Sequence, residues 1–523
     1  MASTDYARDV VAFCPRCHEK DPRGPLANVR RLPARLTSDA CGRVWLVRTC
    51  PDHGVVTTLY QESAEILTYL EEWQAPARGA TPDDSANIAP VPSCYLRGLG
   101  GQQTQHTCSL LTDVTDGCNL RCPTCFVSAV PGAGSPAPVE TILAAVDRRI
   151  EREGGSIDVV MVSGGEPTLH PALLRILQEL SVRPIVRVLL NTNGLRLAHD
   201  DGLLSFLAEH NERIELYLQF DGFRESTWQH HRGADLRLEK AAIVRRAAEA
   251  EIFTTLVMCA ARGVNDDEIG DVIRFALETP YVGGVCIQPQ FGSGRSGRID
   301  PLDRLTHTGV LARLGPQTDG LVTWHDLIGL PCSHPHCASV GYMLRDDEGR
   351  WRSLVSILGH EELKGRLDLV ADRVANWRPR YTVHRLLRDS TMSLLSERNA
   401  LSHPTTTRLL LNLALQSGLR AGTLARLWAD VTPRGRRAAR AWVGDRVTRI
   451  TVKPFMDMNT MLEERLLRCC VHVAMLGETG PQAAPFCAAQ AWPALGDLRL
   501  GGSIAGAERT ASDHLGSMHS EVT

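Results

Sequence analysis

Between about residues 110 and 290 the chain alternates short apolar runs with amphipathic stretches, and this alternation constrains its fold more than any other feature. The apolar runs are Leu110–Val114, Ile157–Val162, Val186–Leu190, Ile214–Phe220, Thr254–Met258 and Val285–Gln288. Such runs read as strands, and helical sequence between them returns each strand parallel to the one before. Six βα units fall short of the eight of a closed barrel, so the expected fold is α/β, an open partial (βα)6 TIM-like barrel. Reactive groups of barrels gather at the C-terminal ends of the strands. The polar motifs of this chain fall at those ends.

The flanks differ in character. Residues 1–75 read as an N-terminal Cys-rich metal-binding module, with the knuckle Cys14-Pro-Arg-Cys17, extended stretches at Val44–Val47 and Val55–Tyr60, and a helix from about Ser63 to Trp73. Its core is too small to fold comfortably alone. Residues 76–109, rich in Ala, Pro, Asp and Ser at first, read as a linker, and residues 110–300 as the barrel. Residues 301–492 read as a mainly helical region carrying the cysteine-histidine segment Pro331–Cys337 and then Cys469, Cys470 and Cys487, and residues 493–523 as a disordered tail.

The formal net charge of −3 over 523 residues shows no global excess of base and does not suggest a broad polyanion-binding surface, so nucleic acid is not an expected partner. Met1–Phe13 carries Asp5, Arg8 and Asp9 and lacks the apolar core of a signal peptide. No apolar run approaches the ~20 residues that span a bilayer. The expected location is cytoplasmic, without a transmembrane segment, and peripheral membrane contact is compatible with it. Sixteen cysteines in a reducing compartment point to metal rather than to disulfides. Lys20, Lys240, Lys364 and Lys453 are the only lysines among 57 basic residues. The dispersed arginines are read as codon bias, without function.

Directly after the first strand candidate comes Thr115-Asp-Gly-Cys118-Asn-Leu-Arg-Cys122-Pro-Thr-Cys125-Phe126. Cubane iron–sulfur clusters usually have four cysteine ligands, so three in tight spacing leave one iron open to a further ligand. With Phe126 after the last cysteine, C-x3-C-x2-C resembles the signature of the radical S-adenosylmethionine (radical SAM) enzymes. The resemblance implies that the open iron of a [4Fe–4S] cluster on Cys118, Cys122 and Cys125 binds the methionyl amino and carboxylate groups. It also implies one-electron cleavage of the sulfonium to a 5′-deoxyadenosyl radical. Ser163-Gly164-Gly165-Glu166-Pro167 resembles the Gly-Gly-Glu-Pro element of the same superfamily. There the glycines would admit the methionyl amine and Glu166 would balance its charge. Asn191-Thr-Asn193-Gly194 and Gln219-Phe-Asp221-Gly222 end the next two strands, where ribose hydroxyls would need partners, and Gln288 ends the sixth. A zinc site on the three cysteines is the competing reading, weakened by the order of these motifs.

A longer series of strings resembles the radical enzymes that include archaeal tetraether lipid synthase and relatives described as pterin methyltransferases. It comprises Cys14-Pro-Arg-Cys17 with Cys50-Pro-Asp-His53-Gly54, Gln105-His-Thr-Cys108, Arg232-Gly233, Gly263-Val-Asn265-Asp266, Gln288-Pro289, Pro331-Cys-Ser-His-Pro-His-Cys337, Cys469-Cys470-Val-His472 and Pro485-Phe-Cys487-Ala488. The resemblance implies a rubredoxin-like mononuclear iron or zinc site on Cys14, Cys17 and Cys50, with Cys41 or His53 as fourth ligand. It also implies an auxiliary [4Fe–4S] cluster on Cys332, Cys337, Cys470 and Cys487, with Cys469 competing for the third place. The stretch before the barrel keeps only Cys94 of a further cysteine motif, which counts against a second auxiliary cluster and against direct transfer of the lipid-coupling activity.

The expected activity is transferase-like: hydrogen abstraction from an unactivated C–H bond, ending in C–C bond formation or methylation of a lipid or other small molecule. The electron donor would be a reductase, a flavodoxin or a ferredoxin. Modification of a ribosomal peptide and a non-catalytic iron–sulfur protein are the alternatives. No leader-peptide-binding pattern supports the first, and intact Glu166 with all three cradle cysteines opposes the second. The ~90 residues before the core are too few for a cobalamin domain of ~100–150 residues.

Overall fold

A computed structural model describes residues 5–21, 29–74, 106–132, 134–296, 299–330, 333–364, 415–420, 423, 433–477, 480–492 and 499–500. Cys94, Cys332 and the helical sequence at 406–414 lie outside these residues.

The N-terminal module is an antiparallel sheet of β1 (Ala7–Phe13), β2 (Arg31–Ser38), β3 (Val44–Cys50) and β4 (Gly54–Gln61), in that order. Helix α1 (Pro15–Lys20) follows β1, and α2 (Ala64–Glu71) follows β4 with the Ser63 side chain accepting from the Ile66 amide as its N-cap. One face of the sheet closes on α2 through Leu36, Val44, Leu46 and Leu67, with Leu462 from the far end of the chain completing the cluster. The module is therefore docked. Arg8 reaches Glu464, Arg31 pairs with Glu463, and His18 Nε2 lies 2.7 Å from the Ala491 carbonyl.

The barrel strands are β5 (Ser109–Asp113), β6 (Ile157–Ser163), β7 (Ile185–Thr192), β8 (Ile214–Gln219), β9 (Thr254–Ala260) and β10 (Val282–Pro289). All six pair in parallel and in sequence order. Period-two alternation divides their side chains. Val160, Val188, Leu216 and Leu256 face the surrounding helices. Leu111, Met161, Leu189 and Tyr217 point the other way and form the barrel interior with Met456, Phe486 and others from the C-terminal region.

Beyond residue 300 the sheet continues. Strands β11 (Ile328–Gly329), β12 (Ser339–Arg345) and β13 (Trp351–Ser353) precede β14 (Val447–Val452), which pairs in parallel with β10. At the opposite edge β15 (Val471–Gly477) pairs in parallel with β5, and β16 (Gly480–Pro485) pairs antiparallel with β15. The (βα)6 core is thus widened by a parallel strand on each side. Among the described residues its two edges do not pair, so the barrel stays open. Periodicity could not reveal β14 and β15 as barrel strands, because their partners lie more than 150 residues away in one case and more than 350 in the other.

Candidate active site

The cysteine loop runs from the end of β5 across the end of β6. Gly165 N donates to Thr115 O at 2.7 Å, and Glu166 N donates to Gly117 O at 2.8 Å. A Cβ on Gly164 would lie 2.1 Å from Thr115 O, and one on Gly165 2.2 Å from Gly117 O. Gly164 also has φ of +130°, which disfavours any other residue. The glycine pair is therefore required by the cysteine loop lying directly on it, a different reason from the methionyl amine expected from the sequence.

Glu166 is almost fully buried. One carboxylate oxygen accepts from Thr168 N at 3.0 Å, Thr168 Oγ1 at 2.6 Å and Thr192 Oγ1 at 2.6 Å, and the other accepts from Asn193 N at 2.7 Å. Three of these bonds crowd one oxygen, and the other keeps one lone-pair position. Glu166 ties the ends of β6 and β7 together, a positioning role that its motif alone does not suggest. Pro167 then opens a short 3-10 turn, Pro167–Leu169.

The polar ends of β6 to β8 form a ladder. Asn191 donates to Ser163 Oγ at 2.9 Å and accepts from Gln219 Nε2 at 3.0 Å. Gln219 Oε1 accepts from Arg232, whose guanidinium grips Asp221 through two bonds of 2.6 and 2.9 Å. Burial alone would raise the Asp221 pKa, but Arg232 outweighs it and holds the carboxyl below its usual range. Asn193 donates to Asn119 Oδ1, inside the cysteine loop, at 2.6 Å. Gln288 donates to Tyr217 OH at 2.9 Å on the interior side.

Two groups escaped the sequence reading. Lys240, 1% exposed, donates to the carbonyls of Asn193 at 2.5 Å and Gln219 at 2.7 Å. Burial pushes its pKa down to about 7, helped by Arg232 and opposed by Asp221 and Glu166. A signal existed: Lys240 shares the buried stripe of its helix with Ile243, Val244 and Ala247 in an arginine-dominated chain. Arg295 carried none. It donates to the carbonyls of Cys122 at 3.0 Å and Ala129 at 2.7 Å, and its backbone N donates to Cys125 O at 2.8 Å. The segment after β10 thereby pins the cysteine loop.

Whether the thiols suit a cluster or a single ion is a matter of spacing. A tetrahedral zinc ion with Zn–S of about 2.3 Å brings thiolates to about 3.8 Å and a thiolate and imidazole nitrogen to about 3.6 Å. In the N-terminal module Cys17 and Cys50 lie 3.8 Å apart, and His53 Nδ1 lies 3.6, 3.5 and 3.5 Å from Cys14, Cys17 and Cys50. That set fits one tetrahedral ion, and its fourth member is His53. Cys41 stands exposed on the β2–β3 turn, its backbone N donating to Asp39, outside the group. Cys118, Cys122 and Cys125 differ. Among the described residues they do not form a group within 4.8 Å, unlike the ribbon set; in a cubane each thiolate would hold a different iron. Burial pushes the Cys118 thiol up to about 11, a cost that iron ligation would offset.

A third set of thiols lies beside the barrel. Burial pushes the Cys469 thiol up, with Cys487, Cys470 and Cys337 adding to it; burial also pushes the Cys487 thiol up to about 11, and Arg465 Nε lies 3.3 Å from Cys337 Sγ. Cys470 packs into an apolar cluster with Trp73 and Cys108.

Residues 112–276 match the Radical SAM superfamily, and residues 6–62 match the HMPTM N-terminal zinc ribbon domain. Residues 112–276 thus form a radical SAM domain. The 7,8-dihydro-6-hydroxymethylpterin dimethyltransferase of Methanocaldococcus jannaschii is 24% identical over 510 residues, 92% of each chain. A GTP 3′,8-cyclase of Moorella thermoacetica is 26% identical, over 49% of this chain and 83% of its own. Among solved structures, a radical SAM methyltransferase from Sphaerobacter thermophilus aligns with a TM-score of 0.30 at 14% identity, over 55% of this chain and 70% of that one. This radical SAM chain is an enzyme with transferase-like relatives, and its cofactors are a [4Fe–4S] cluster and S-adenosylmethionine. Bound together, they supply one-electron cleavage to a 5′-deoxyadenosyl radical. The protein's part is to hold the thiols on a loop pinned by Arg295 and the glycine pair, and to align the amide ladder beside it. No helix among the described residues is long and apolar enough to cross a membrane.

Proposed function

We propose that this radical SAM enzyme forms a C–C bond on, or methylates, a small flat heterocycle of the reduced-pterin type. The observation that carries the reading is the collinear match, over 92% of both chains, to a pterin dimethyltransferase, whereas the match to the GTP cyclase covers 49% of this chain. The character of the barrel interior supports it: Met161, Tyr217, Met456, Phe486 and their neighbours make an apolar cluster whose chemistry suits a ring, with the Tyr217–Gln288 pair as a polar group beside it. Met456, Phe486 and Trp492 bring the C-terminal region into this interior, and the buried Arg304–Asp457 pair at 2.8 Å holds the segment that carries Met456. In this reading Cys118, Cys122 and Cys125 ligate the catalytic cluster, while Gly164–Pro167, Asn191, Asn193, Gln219, Asp221 and Gln288 shape the cofactor site. Cys14, Cys17, Cys50 and His53 hold a mononuclear zinc or iron. Cys337 and Cys487, with Cys332 and either Cys469 or Cys470, hold an auxiliary [4Fe–4S] cluster fed by a reductase, flavodoxin or ferredoxin.

The same apolar interior favours a second reading, a lipid acyl chain. One experiment separates the two. Reconstituted enzyme is given dithionite, S-adenosylmethionine and either 7,8-dihydro-6-hydroxymethylpterin or a lipid extract, and products are followed by mass spectrometry. The pterin reading expects 5′-deoxyadenosine formation coupled to a mass gain on the pterin. Coupling to lipid alone, or cleavage stimulated by neither, would reject it.

A further inference from the structure

At the end of the barrel opposite the cysteine loop, a second single-ion ligand set is built from His106, Cys108 and Asp158. One ligand atom from each lies within 4.8 Å of the others, and His106 Nε2 is 3.2 Å from Cys108 Sγ. The pleat explains the convergence. His106 and Cys108 are two residues apart on the chain entering β5, and His106 Nε2 faces Cys108 Sγ. Ser109 pairs with Val159, which sets Cys108 beside Asp158 at the start of β6. The outward parity of Leu110 and Val160, which both pack against helices, is also the parity of Cys108 and Asp158.

The backbone beneath is fixed on every side. Thr107 N donates to Glu153 at 2.9 Å, and Thr107 Oγ1 lies 2.7 Å from His472 Nδ1. Cys108 N and Ser109 N both donate to Cys470 O, and Cys108 O accepts from Val159 N. A set held on strand ends in this way needs no rearrangement to accept an ion.

We propose that His106, Cys108 and Asp158 bind one divalent transition ion of the zinc class, distinct from the ribbon ion and from the clusters. The donor set is N, S and O, which suits a borderline cation. One thiolate and one carboxylate balance the two charges of the ion and leave a fourth position for water or another donor. Cys108 is 2% exposed, which keeps bulky substrates away and sets this arrangement apart from a cysteine nucleophile with its base. Lying at the N-terminal ends of β5 and β6, the ion would clamp the first two barrel strands whose other ends carry the cysteine loop and the glycine pair. Its function is to hold the register on which the active site rests.

The test uses the full chain, reconstituted anaerobically with iron and sulfide, then equilibrated with zinc, desalted and analysed for both metals. Wild type should hold two zinc ions per chain. Cys108→Ser and Asp158→Asn should each hold one, with iron unchanged, and His53→Ala should also hold one. Cobalt in place of zinc should give a thiolate charge-transfer band that persists in His53→Ala and is lost when Cys108→Ser is added. The Asp158→Asn variant covers the case in which Cys108→Ser folds poorly. A wild-type zinc count of one that vanishes in His53→Ala, or full zinc retention by both Cys108→Ser and Asp158→Asn, would overturn the proposal. So would rapid alkylation of Cys108 in the zinc-equilibrated protein, which would mark a free thiolate.

Discussion

Replacing Glu166 with glutamine separates two roles for the acid of the Gly-Gly-Glu-Pro element. If the carboxylate met only the methionyl amine, Glu166→Gln would weaken cofactor binding and leave the cofactor-free protein unchanged. The observed bonds give a different result. Glutamine keeps one oxygen, which can still face Thr168 and Thr192, but its amide nitrogen then meets the Asn193 N–H, donor against donor. The change removes one charge-assisted bond and strands a buried backbone donor, together costing about 2–4 kcal/mol. Local opening at the β6 and β7 ends should become easier by that amount, so peptides covering 163–168 and 191–195 should exchange amide hydrogen roughly 30- to 700-fold faster without cofactor. Hydrogen exchange with mass spectrometry reads this directly, with peptides from β9 as an internal control. Unchanged exchange at both strand ends, together with weaker S-adenosylmethionine binding, would refute the positioning role.

Three further outcomes follow from named residues. Cys122→Ala should lose the catalytic cluster's visible absorption and 5′-deoxyadenosine formation together, checked by spectroscopy and chromatography after anaerobic reconstitution; product at the wild-type rate would contradict the ligand assignment. His53→Ala should empty the ribbon site while Cys41→Ala leaves it filled, read as zinc retained after desalting in a background carrying Cys108→Ser. His307 is buried, its Nε2 2.9 Å from Ser339 Oγ, and burial with Arg465 and His336 nearby pushes its pKa down to about 3. The folded state therefore refuses a proton that the unfolded chain accepts below about pH 6.5, so this residue costs no stability above that pH and about 1.4 kcal/mol by pH 5.5, growing until about pH 3. His307→Asn should flatten the fall in thermal midpoint between pH 7 and 5 by this one-proton increment, and an unaltered slope would show that another group carries it.

The legible parts of this protein were those written in local pattern. Each of the six barrel strands shows as a short apolar run because both faces are covered, by helices outside and by Leu111, Met161, Tyr217 and their neighbours inside. The three cradle cysteines and the glycine pair were readable for a similar reason: chelation and close backbone approach demand particular residue types at short spacing. The structure adds a second reason for the glycines, since the backbone at 115–117 lies directly against them.

What could not be read locally depends on contacts between distant segments. Choosing His53 over Cys41 required knowing how the β3–β4 turn folds back on α1, because both residues suit a tetrahedral site and spacing alone treats them alike. The parallel strands β14 and β15 add to opposite edges of the barrel, a pairing set by hydrogen-bonding edges left by β10 and β5 and marked by no periodic signal. Lys240 and Arg295 owe their work to carbonyls brought to them by other loops. The chemistry of the cluster loop was thus carried by residue type and spacing, while the support that holds it in place came from packing, which joins residues only after the chain has folded.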